Sequence, residues 1–261
     1  MSALLDSLAS TFCGSDERRA VLDATLHDGL PGPRTESWKY TSLRQLERRS
    51  FSAAPLAVPA IDADVLAELL ADIPAPRLVF INGRPAQVPS DLAGLADGVE
   101  LQTLSAALAG GEQAARFLGR RYERTDEVFA RLNAALADEG VVLRVDAGVQ
   151  SETPLQLVFV STTADSDLAW HHRHFIELRA GARFGVVEHH LHAGDAAHLD
   201  NTVVHVHLAQ DAELSHARVQ RDSPRATSLL RTDAVLARDA RYQRVDLELG
   251  AALTRHELNV R

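Results

Sequence analysis

A unit of about thirty residues recurs three times in the second half of this chain. The three copies are residues 174–193, 203–222 and 230–249. In each copy two alternating apolar segments flank a corner of small residues, and the corner alanines Ala182, Ala212 and Ala240 are 30 and then 28 residues apart. Such a period is typical of stacked units that cannot bury their apolar faces alone. It predicts a mainly β fold, a parallel β-solenoid, for this half.

The hydrophobic period divides the chain near residue 140. Residues 2–28 and 103–139 place apolar side chains at helical spacing, and Gly140 is the predicted C-terminal cap of the second stretch. From residue 141 onward the period becomes two, as expected for strands. We therefore predict an N-terminal helical domain with a small β-hairpin over residues 1–140, and a parallel β-helix core over 141–261.

Short sequence motifs predict a turn, a helix cap and several loops within these two parts. Asn82-Gly83 lies between two apolar runs and predicts a hairpin turn. Asp62 precedes an apolar stretch and predicts the N-cap of a short helix over 62–71. Three polar stretches are predicted to be exposed loops between coils: residues 161–167, 193–201 and 221–228.

Charge and cysteine content exclude several classes of protein. The net charge of −9 argues against a general nucleic-acid or anionic-membrane surface. Cys13 is the only cysteine, so the chain has no internal disulfide framework or multi-cysteine metal site. We expect its thiol to be buried or unreactive. The start has no basic segment and no apolar run reaches membrane-spanning length, which predicts a cytoplasmic location.

Ten of the twelve histidines fall between residues 171 and 216. His190 and His192 share a strand face with Glu188. Val204, Val206 and Leu208 are predicted to face the core, so the alternate residues His205 and His207 are predicted to point outward. Imidazole groups at this spacing are potential ligands of zinc, iron or manganese. A solvated face rich in histidine is the favoured interpretation, because the repeat does not align these residues between coils. No metal site is therefore assigned, and the four histidines remain candidates only.

The only other dense patch is Trp38-Lys39-Tyr40-Thr41, which contains the only lysine of the chain. Two aromatic rings beside a lysine form one candidate binding site. The alternative, which we favour, is that Trp38 and Tyr40 anchor a loop to the core. The chain contains no GxxxxGK[ST] phosphate-binding loop, so ATP hydrolysis by that route is excluded.

Several stretches together resemble one family. They are, in chain order, residues 33–43, 78–84 and 132–140, then Val149 and residues 154–157. This order resembles the SufB/SufD family of iron–sulfur cluster assembly proteins through essentially the whole chain. The tryptophan–lysine–tyrosine–threonine segment and the absence of core cysteines favour its SufD branch.

The resemblance implies a right-handed parallel β-helix behind an N-terminal helical domain. It implies a non-catalytic subunit of a SufBCD complex, with a SufB-like scaffold and a SufC-like ATPase as partners, and a homodimer is compatible with the isolated chain. It implies no catalytic residue and no resident cofactor, with iron or an iron–sulfur cluster present only transiently in the complex. Neither nucleic acid nor a membrane is an expected partner.

The chain departs from that family at its C-terminal end. Family members continue through further coils and a C-terminal helical domain, and residues 256–261 still alternate as a strand does. We therefore expect the natural protein to continue past Arg261; the alternative is a bound partner that covers the last coil.

Two other functions remain open on the residues alone. One is a cupin-like metal-dependent enzyme that uses the histidine-rich strands. Its motif is matched only weakly, because the six-residue separation of His207 and Glu213 differs from that of the cupin motif by one or two residues. The other is a solenoid that binds carbohydrate or another macromolecule on a flat face. Aromatic residues make up only 5% of the chain, which disfavours the stacked rings such binders use.

Overall fold

The computed structural model describes residues 2–110 and 122–261. A helical N-terminal region precedes a parallel β-solenoid of about four turns. The predicted fold class is therefore confirmed. The proposed domain boundary at residue 140 stays a prediction. No described helix is both long and apolar enough to cross a bilayer.

The helical region contains five described α-helices. They are α1 (Ala3–Ser10), α2 (Asp16–Asp28), α3 (Ala63–Leu70), α4 (Leu104–Ala109) and α5 (Val128–Leu136). The single helix suggested by residues 2–28 is two helices, because the Ser15 hydroxyl accepts a hydrogen bond from the Arg18 amide and starts a new one. The predicted cap at Asp62 is confirmed, since its carboxylate accepts from the amides of Asp64 and Val65.

The predicted helix over 103–139 is wrong as one element. Its described parts form only α4 and α5, and residues 111–121 lie outside the described residues. Gly140 is not a helix cap either, because α5 is capped at Ala137. Gly140 instead has a φ of 152° and lies against the backbone of Arg173. Only glycine permits this close approach of two chains.

The strands are numbered in chain order. They are β1 (Ser52–Ala53), β2 (Arg77–Ile81), β3 (Arg84–Asp91), β4 (Val99–Thr103), β5 (Val141–Val145), β6 (Leu155–Thr162), β7 (Leu168–Trp170), β8 (Arg173–Leu178), β9 (Arg183–Ala193), β10 (His198–Leu208), β11 (Glu213–Gln220), β12 (Thr227–Leu236), β13 (Arg241–Glu248) and β14 (Leu253–Val260).

Two sheets form the walls of the solenoid. The first has the order β1-β7-β10-β8-β5-β4, with β12 pairing with β10 and β14; the second has the order β13-β11-β9-β6-β2-β3. Strands of successive coils pair in parallel, with Arg173 opposite Val203 and Leu199 opposite Thr227. These pairs are 30 and 28 residues apart, which is the period of the repeat. Strands β2 and β3 form the predicted hairpin around Asn82-Gly83, both with positive φ.

The corners of small residues stack on one another between coils. Gly181 and Asp211 both have φ near 60° (67° and 60°), at equivalent positions of successive corners. The Gly181 amide donates to the Gln210 carbonyl, and the Asp211 amide donates to the Arg238 carbonyl. The alanine that follows in each corner points inward, and Ala212 is fully buried. Backbone hydrogen bonds between coils thus explain why the corner recurs.

Two apolar clusters hold these layers together. One fills the solenoid and includes the predicted core residues Val204, Val206 and Leu208. The other packs α1, α2 and α5 against the outer face of the first sheet, where it includes Leu199 and Leu229. The helical region is therefore packed directly on the solenoid wall.

We expect Gly140→Ala to lower the free energy of unfolding by about 2 kcal/mol or more, because the methyl group meets the Arg173 backbone and the φ is unfavourable for alanine. Gly32→Ala is the matched control, since an added methyl group there meets nothing within 4 Å. Denaturant unfolding of both variants measures the difference. Equal stability of the two variants would contradict the close packing at Gly140.

Candidate functional site

The interior of the solenoid is apolar at one end of each coil and polar at the other. Along β9, Phe184 and Val186 belong to the apolar core, and the next residues of the same face are Glu188 and His190. Along β11, Leu214 is followed on the same face by His216. Alternate residues of a strand point to the same side, so these charged and polar groups face inward. The sequence thus builds a buried polar cluster inside the coils.

Glu188 is the centre of this cluster and is 1% exposed. Its Oε1 accepts a hydrogen bond from Nε2 of His216 at 2.6 Å, and its Oε2 lies 3.3 Å from Nε2 of His190. Burial opposes ionisation, but these imidazoles and the nearby Arg244 hold the pKa of Glu188 well below its usual value. Glu188 is therefore a buried carboxylate.

The cluster continues toward the last coils. Nδ1 of His216 lies 3.0 Å from the Tyr242 hydroxyl and 3.3 Å from Nη1 of Arg244. Arg244 forms an ion pair with Asp246 at 2.8 Å, and Oδ2 of Asp246 lies 3.3 Å from Nδ1 of His256. Burial works against the charge of Asp246, but His256 and Arg244 hold its pKa well below the usual value. Polar contacts therefore connect three successive coils.

At the other end of the cluster is a small cavity of about 10 Å³. Its lining includes three imidazoles and two carboxylates: His172, His190, His198, Asp200 and Asp222. The Trp170 ring stacks on His198 with a centroid distance of 4.5 Å and covers one side. Asp200 is the notable member, because the stretch 193–201 was predicted to be an exposed loop; in fact β10 begins at His198 and Asp200 is 3% exposed.

Three other histidines of the coils, His171, His174 and His189, are neutral. Burial lowers the pKa of His171 to about 4 and that of His174 to about 3. Nδ1 of His174 accepts a hydrogen bond from the Val141 amide at 2.9 Å, which a neutral ring alone can do. Burial and the nearby Arg221 lower the pKa of the half-buried His189 to about 4. These rings are hydrogen-bonding parts of the coil rather than charged groups.

The structure separates the four candidate histidines. His190 points into the solenoid, whereas His192 lies at a partly exposed corner, where its Nδ1 is 2.8 Å from the Gly194 carbonyl. His205 points away from the interior but is 1% exposed, and its Nε2 accepts from Nε of Arg173. His207 is exposed, as predicted. Within residues 2–110 and 122–261, no three His, Cys, Asp or Glu side chains are grouped closely enough to hold a metal ion.

In strand β13 the aliphatic side chains face outward. Tyr242 pairs with the core residue Leu214, so Tyr242 and its alternate neighbours face inward. Val245 and Leu247 therefore face outward, where they are 61% and 49% exposed. Their alternation in the sequence signals a strand correctly, but it does not reveal that the apolar residues lie on its outer face.

The tryptophan motif fastens the helical region to the last coil. Trp38 is 4% exposed, and its Nε1 donates to the Asp126 carbonyl at 2.8 Å. The Arg255 guanidinium lies 4.0 Å from the Trp38 ring centroid and donates to the Thr41 hydroxyl at 3.0 Å. Tyr40 is 90% exposed, so its predicted anchoring role is wrong and only Trp38 anchors the loop.

We expect Arg255→Ala to cost about 1–2 kcal/mol of stability, because it removes the stacking on Trp38 and the hydrogen bond to Thr41. Lys39→Ala in the same motif is the control and should cost less than about 0.5 kcal/mol, since its ion pair with Glu36 is exposed. Thermal unfolding of both variants checks this; a larger loss for Lys39→Ala would contradict it.

Cys13 follows α1 and is exposed. The expectation of a buried thiol is therefore wrong, and its reactivity stays untested. Sequence reasoning placed Glu188 on the strand face of His190 but did not predict its burial, and it missed His216 and Asp200, the other main groups of the interior. The sequence did contain a signal for the burial of Glu188. Glu188 lies two residues after the core residue Val186, so both side chains point to the same, inner face of the strand.

Two family models match this chain, one over its N-terminal region and one over most of the solenoid. The N-terminal region model of SufBD proteins matches residues 5–157, and the SufBD core domain model of the SUF system for FeS cluster assembly matches residues 159–261. The second match coincides with most of the solenoid.

Three relatives agree with these matches. An iron–sulfur cluster assembly SufBD family protein of Synechocystis is 28% identical over 94% of this chain and 56% of its own length. The iron–sulfur cluster assembly protein SufD of Escherichia coli is 28% identical over 93% of this chain and 54% of its length. The chloroplastic protein ABCI7 of Arabidopsis thaliana is 22% identical over 99% of this chain and 56% of its own length. The chain thus spans about half the length of these relatives. With both regions matched in order, the chain belongs to the SufB/SufD family of iron–sulfur cluster assembly proteins.

Proposed function

We propose that this chain is the N-terminal and core part of a SufD-like, non-catalytic subunit of an iron–sulfur cluster assembly complex. Its role is to support a SufB-like scaffold and to couple it to a SufC-like ATPase in the cytoplasm. The observation that carries the proposal is the core-domain match over residues 159–261, because it falls on the parallel solenoid itself. The sequence has no phosphate-binding loop of its own, which agrees with a separate ATPase subunit.

The chemistry of the interior supports a structural rather than a catalytic role. The charged groups there form ion pairs with one another: Nη1 of Arg218 pairs with Glu248 at 2.6 Å, and Arg244 pairs with Asp246. A catalytic acid or base instead needs access to a substrate within hydrogen-bonding distance. Iron or an iron–sulfur cluster is proposed to pass through the assembled complex without a resident site in this chain.

The test is genetic and uses the full-length gene in the organism that carries it. Depletion of the protein should lower the activity of an iron–sulfur enzyme such as aconitase several-fold, while a dehydrogenase without a cluster keeps its activity. Re-expression of the full-length gene should restore the aconitase. Unchanged aconitase activity under iron limitation and oxidative stress would reject a role in cluster assembly.

A further inference from the structure

The outer face of the second sheet is apolar across most of its width. Alternate residues of each strand point outward, and the pairing register aligns them in rows that cross the sheet. One row that crosses five strands contains, in order, Val79, Val158, His189, Val219 and Leu247. Four of these five side chains are aliphatic. A continuous apolar surface of this kind is typical of a face that packs against another element.

A helix of the same chain covers one half of this face. Helix α3 packs on β6 and β9, where Val158, Val160 and Leu191 are buried beneath it. The side chains that α3 and the residues after it contribute are Leu66, Leu69, Leu70 and Ile73. The opposite side of the helix is acidic, with exposed carboxylates at Asp62, Asp64, Glu68 and Asp72. The covered half therefore shows which kind of element this face accepts.

The other half of the face, formed by β11 and β13, is left open by the described residues. On β13 and just after it, Val245, Leu247 and Leu249 are exposed. On β11, Ala217 and Val219 are partly exposed, although β9 and β13 flank this strand on both sides. Exposure in the middle of a sheet cannot come from an unpaired edge. It shows that no described element lies over this half.

A groove of about 390 Å³ lies on the open half. Its lining includes Pro154, Val187, Ala217 and Val245. Gly185 forms part of the floor, and a Cβ atom at this position would lie only 3.0 Å from Cβ of Pro154. The missing side chain therefore keeps the groove open. Apolar side chains of a docked element can insert there.

Arginines frame the open half. Arg183 and Arg241 lie in one row across the sheet and share a single carboxylate, that of Glu213, at 3.0 and 3.5 Å. Arg221 follows β11 at the opposite end, is exposed, and forms no ion pair with any residue that the structure describes. Glu152 is the other carboxylate beside the groove. The frame is therefore net positive, on a chain whose net charge is −9.

We propose that the outer face of β11 and β13 is a docking surface for an amphipathic helix of a partner protein, a helix with a leucine-rich side and acidic flanks. An amphipathic helix fills such a groove through apolar residues three and four positions apart. The arginine frame selects acidic flanks, because opposite charges across an interface favour the correct partner. Helix α3 has this chemistry and already packs on the adjoining strands. The inference does not depend on the function proposed above.

The test uses the purified full-length protein and a fluorescein-labelled peptide with the sequence of residues 60–73, which contains α3 and its acidic flanks. Fluorescence anisotropy should show saturable binding. Leu247→Ser should weaken binding at least tenfold, whereas Val88→Ser, at the opposite edge of the same sheet, should leave it unchanged. Both side chains are exposed, so neither change removes a core residue. No binding, or equal affinities of the two variants, would overturn the proposal.

The charge of the frame is tested with the same peptide. Arg221→Glu should weaken binding several-fold at low salt, and the difference should shrink at high ionic strength, where charges are screened. A second peptide, in which amides replace the four carboxylates, should bind the unsubstituted protein several-fold more weakly. Equal affinities of the acidic and the amide peptide would contradict the choice of an acidic helix.

Photo-crosslinking identifies the occupant. The full-length protein carries benzoylphenylalanine at position 247 in its own organism, and mass spectrometry reads the sequence of the cross-linked fragment. That fragment should come from another polypeptide, with apolar residues at helical spacing and more acidic than basic residues. A cross-link to a second copy of this protein, a cross-link to another part of the same chain, or no cross-link would each overturn the assignment of a partner protein.

Discussion

Glu188→Ala is expected to lower the free energy of unfolding by about 3–5 kcal/mol, because removing one member of a buried charged network leaves its partners desolvated and unpaired. Glu188 is 1% exposed and makes contacts with His216, His190 and Arg218. Its loss leaves the Nε2 protons of both imidazoles without an acceptor. Urea unfolding followed by circular dichroism gives the difference directly.

Glu177→Ala is the matched control for this prediction. Glu177 lies on β8 and pairs with Arg144 at 3.5 Å, but its side chain is 35% exposed. Solvated ion pairs contribute little, so we expect a loss below about 1 kcal/mol. Comparable losses for the two alanine variants would show that the interior network does not stabilise the solenoid.

The second large effect is acid destabilisation. Burial lowers the pKa of His171 to about 4 and that of His174 to about 3, whereas an unfolded histidine takes up its proton near pH 6.5. Between pH 6.5 and 4 the unfolded chain therefore binds more protons than the folded chain, so stability falls as the pH is lowered through this window. Each ring contributes on the order of 3 kcal/mol over the whole window.

Unfolding midpoints in urea at pH 7, 6, 5 and 4.5 measure this slope. His174→Gln should flatten the slope, since glutamine has no proton to take up in the unfolded state. His207→Gln is the control, because His207 is exposed. A midpoint that does not change between pH 7 and 4.5 would contradict the assignment of neutral buried rings.

The repeat predicted the fold because its cause is backbone geometry. Every copy needs a corner residue such as Gly181 or Asp211 with positive φ and a small residue such as Ala212 pointing inward. Those requirements are local and leave a visible period in the sequence. The break in the first helix was missed because Ser15 acts through one capping hydrogen bond, which the apolar spacing does not record.

The polar interior could not be predicted by the same reasoning. Hydrophobic periodicity assigns apolar residues to the inside, and the strands β9 and β13 break that rule: β9 buries Glu188 and His190, and β13 exposes Val245 and Leu247. The pairing between coils places buried charged side chains next to each other, as it does for Arg218 opposite Glu188. Such pairs are separated by about thirty residues and become apparent only when the register is known.

The exposure of single side chains was also beyond sequence reasoning. The sequence correctly placed His205 on the outward face of β10, yet the residue is 1% exposed. The helical region packs on that face, through Val203 with Tyr122 and Ala130. The strand period gives the direction of a side chain, and only the tertiary packing shows what covers it.

The proposed function makes this chain part of a subunit that assembles with a SufB-like scaffold and a SufC-like ATPase. Co-expression of the full-length gene product with the SufB-like and SufC-like proteins of the same organism, followed by native mass spectrometry, tests it most directly. We expect a stable complex that contains all three chains. Recovery of a SufB–SufC complex from which this protein is absent, with the protein itself folded and alone, would contradict the claim.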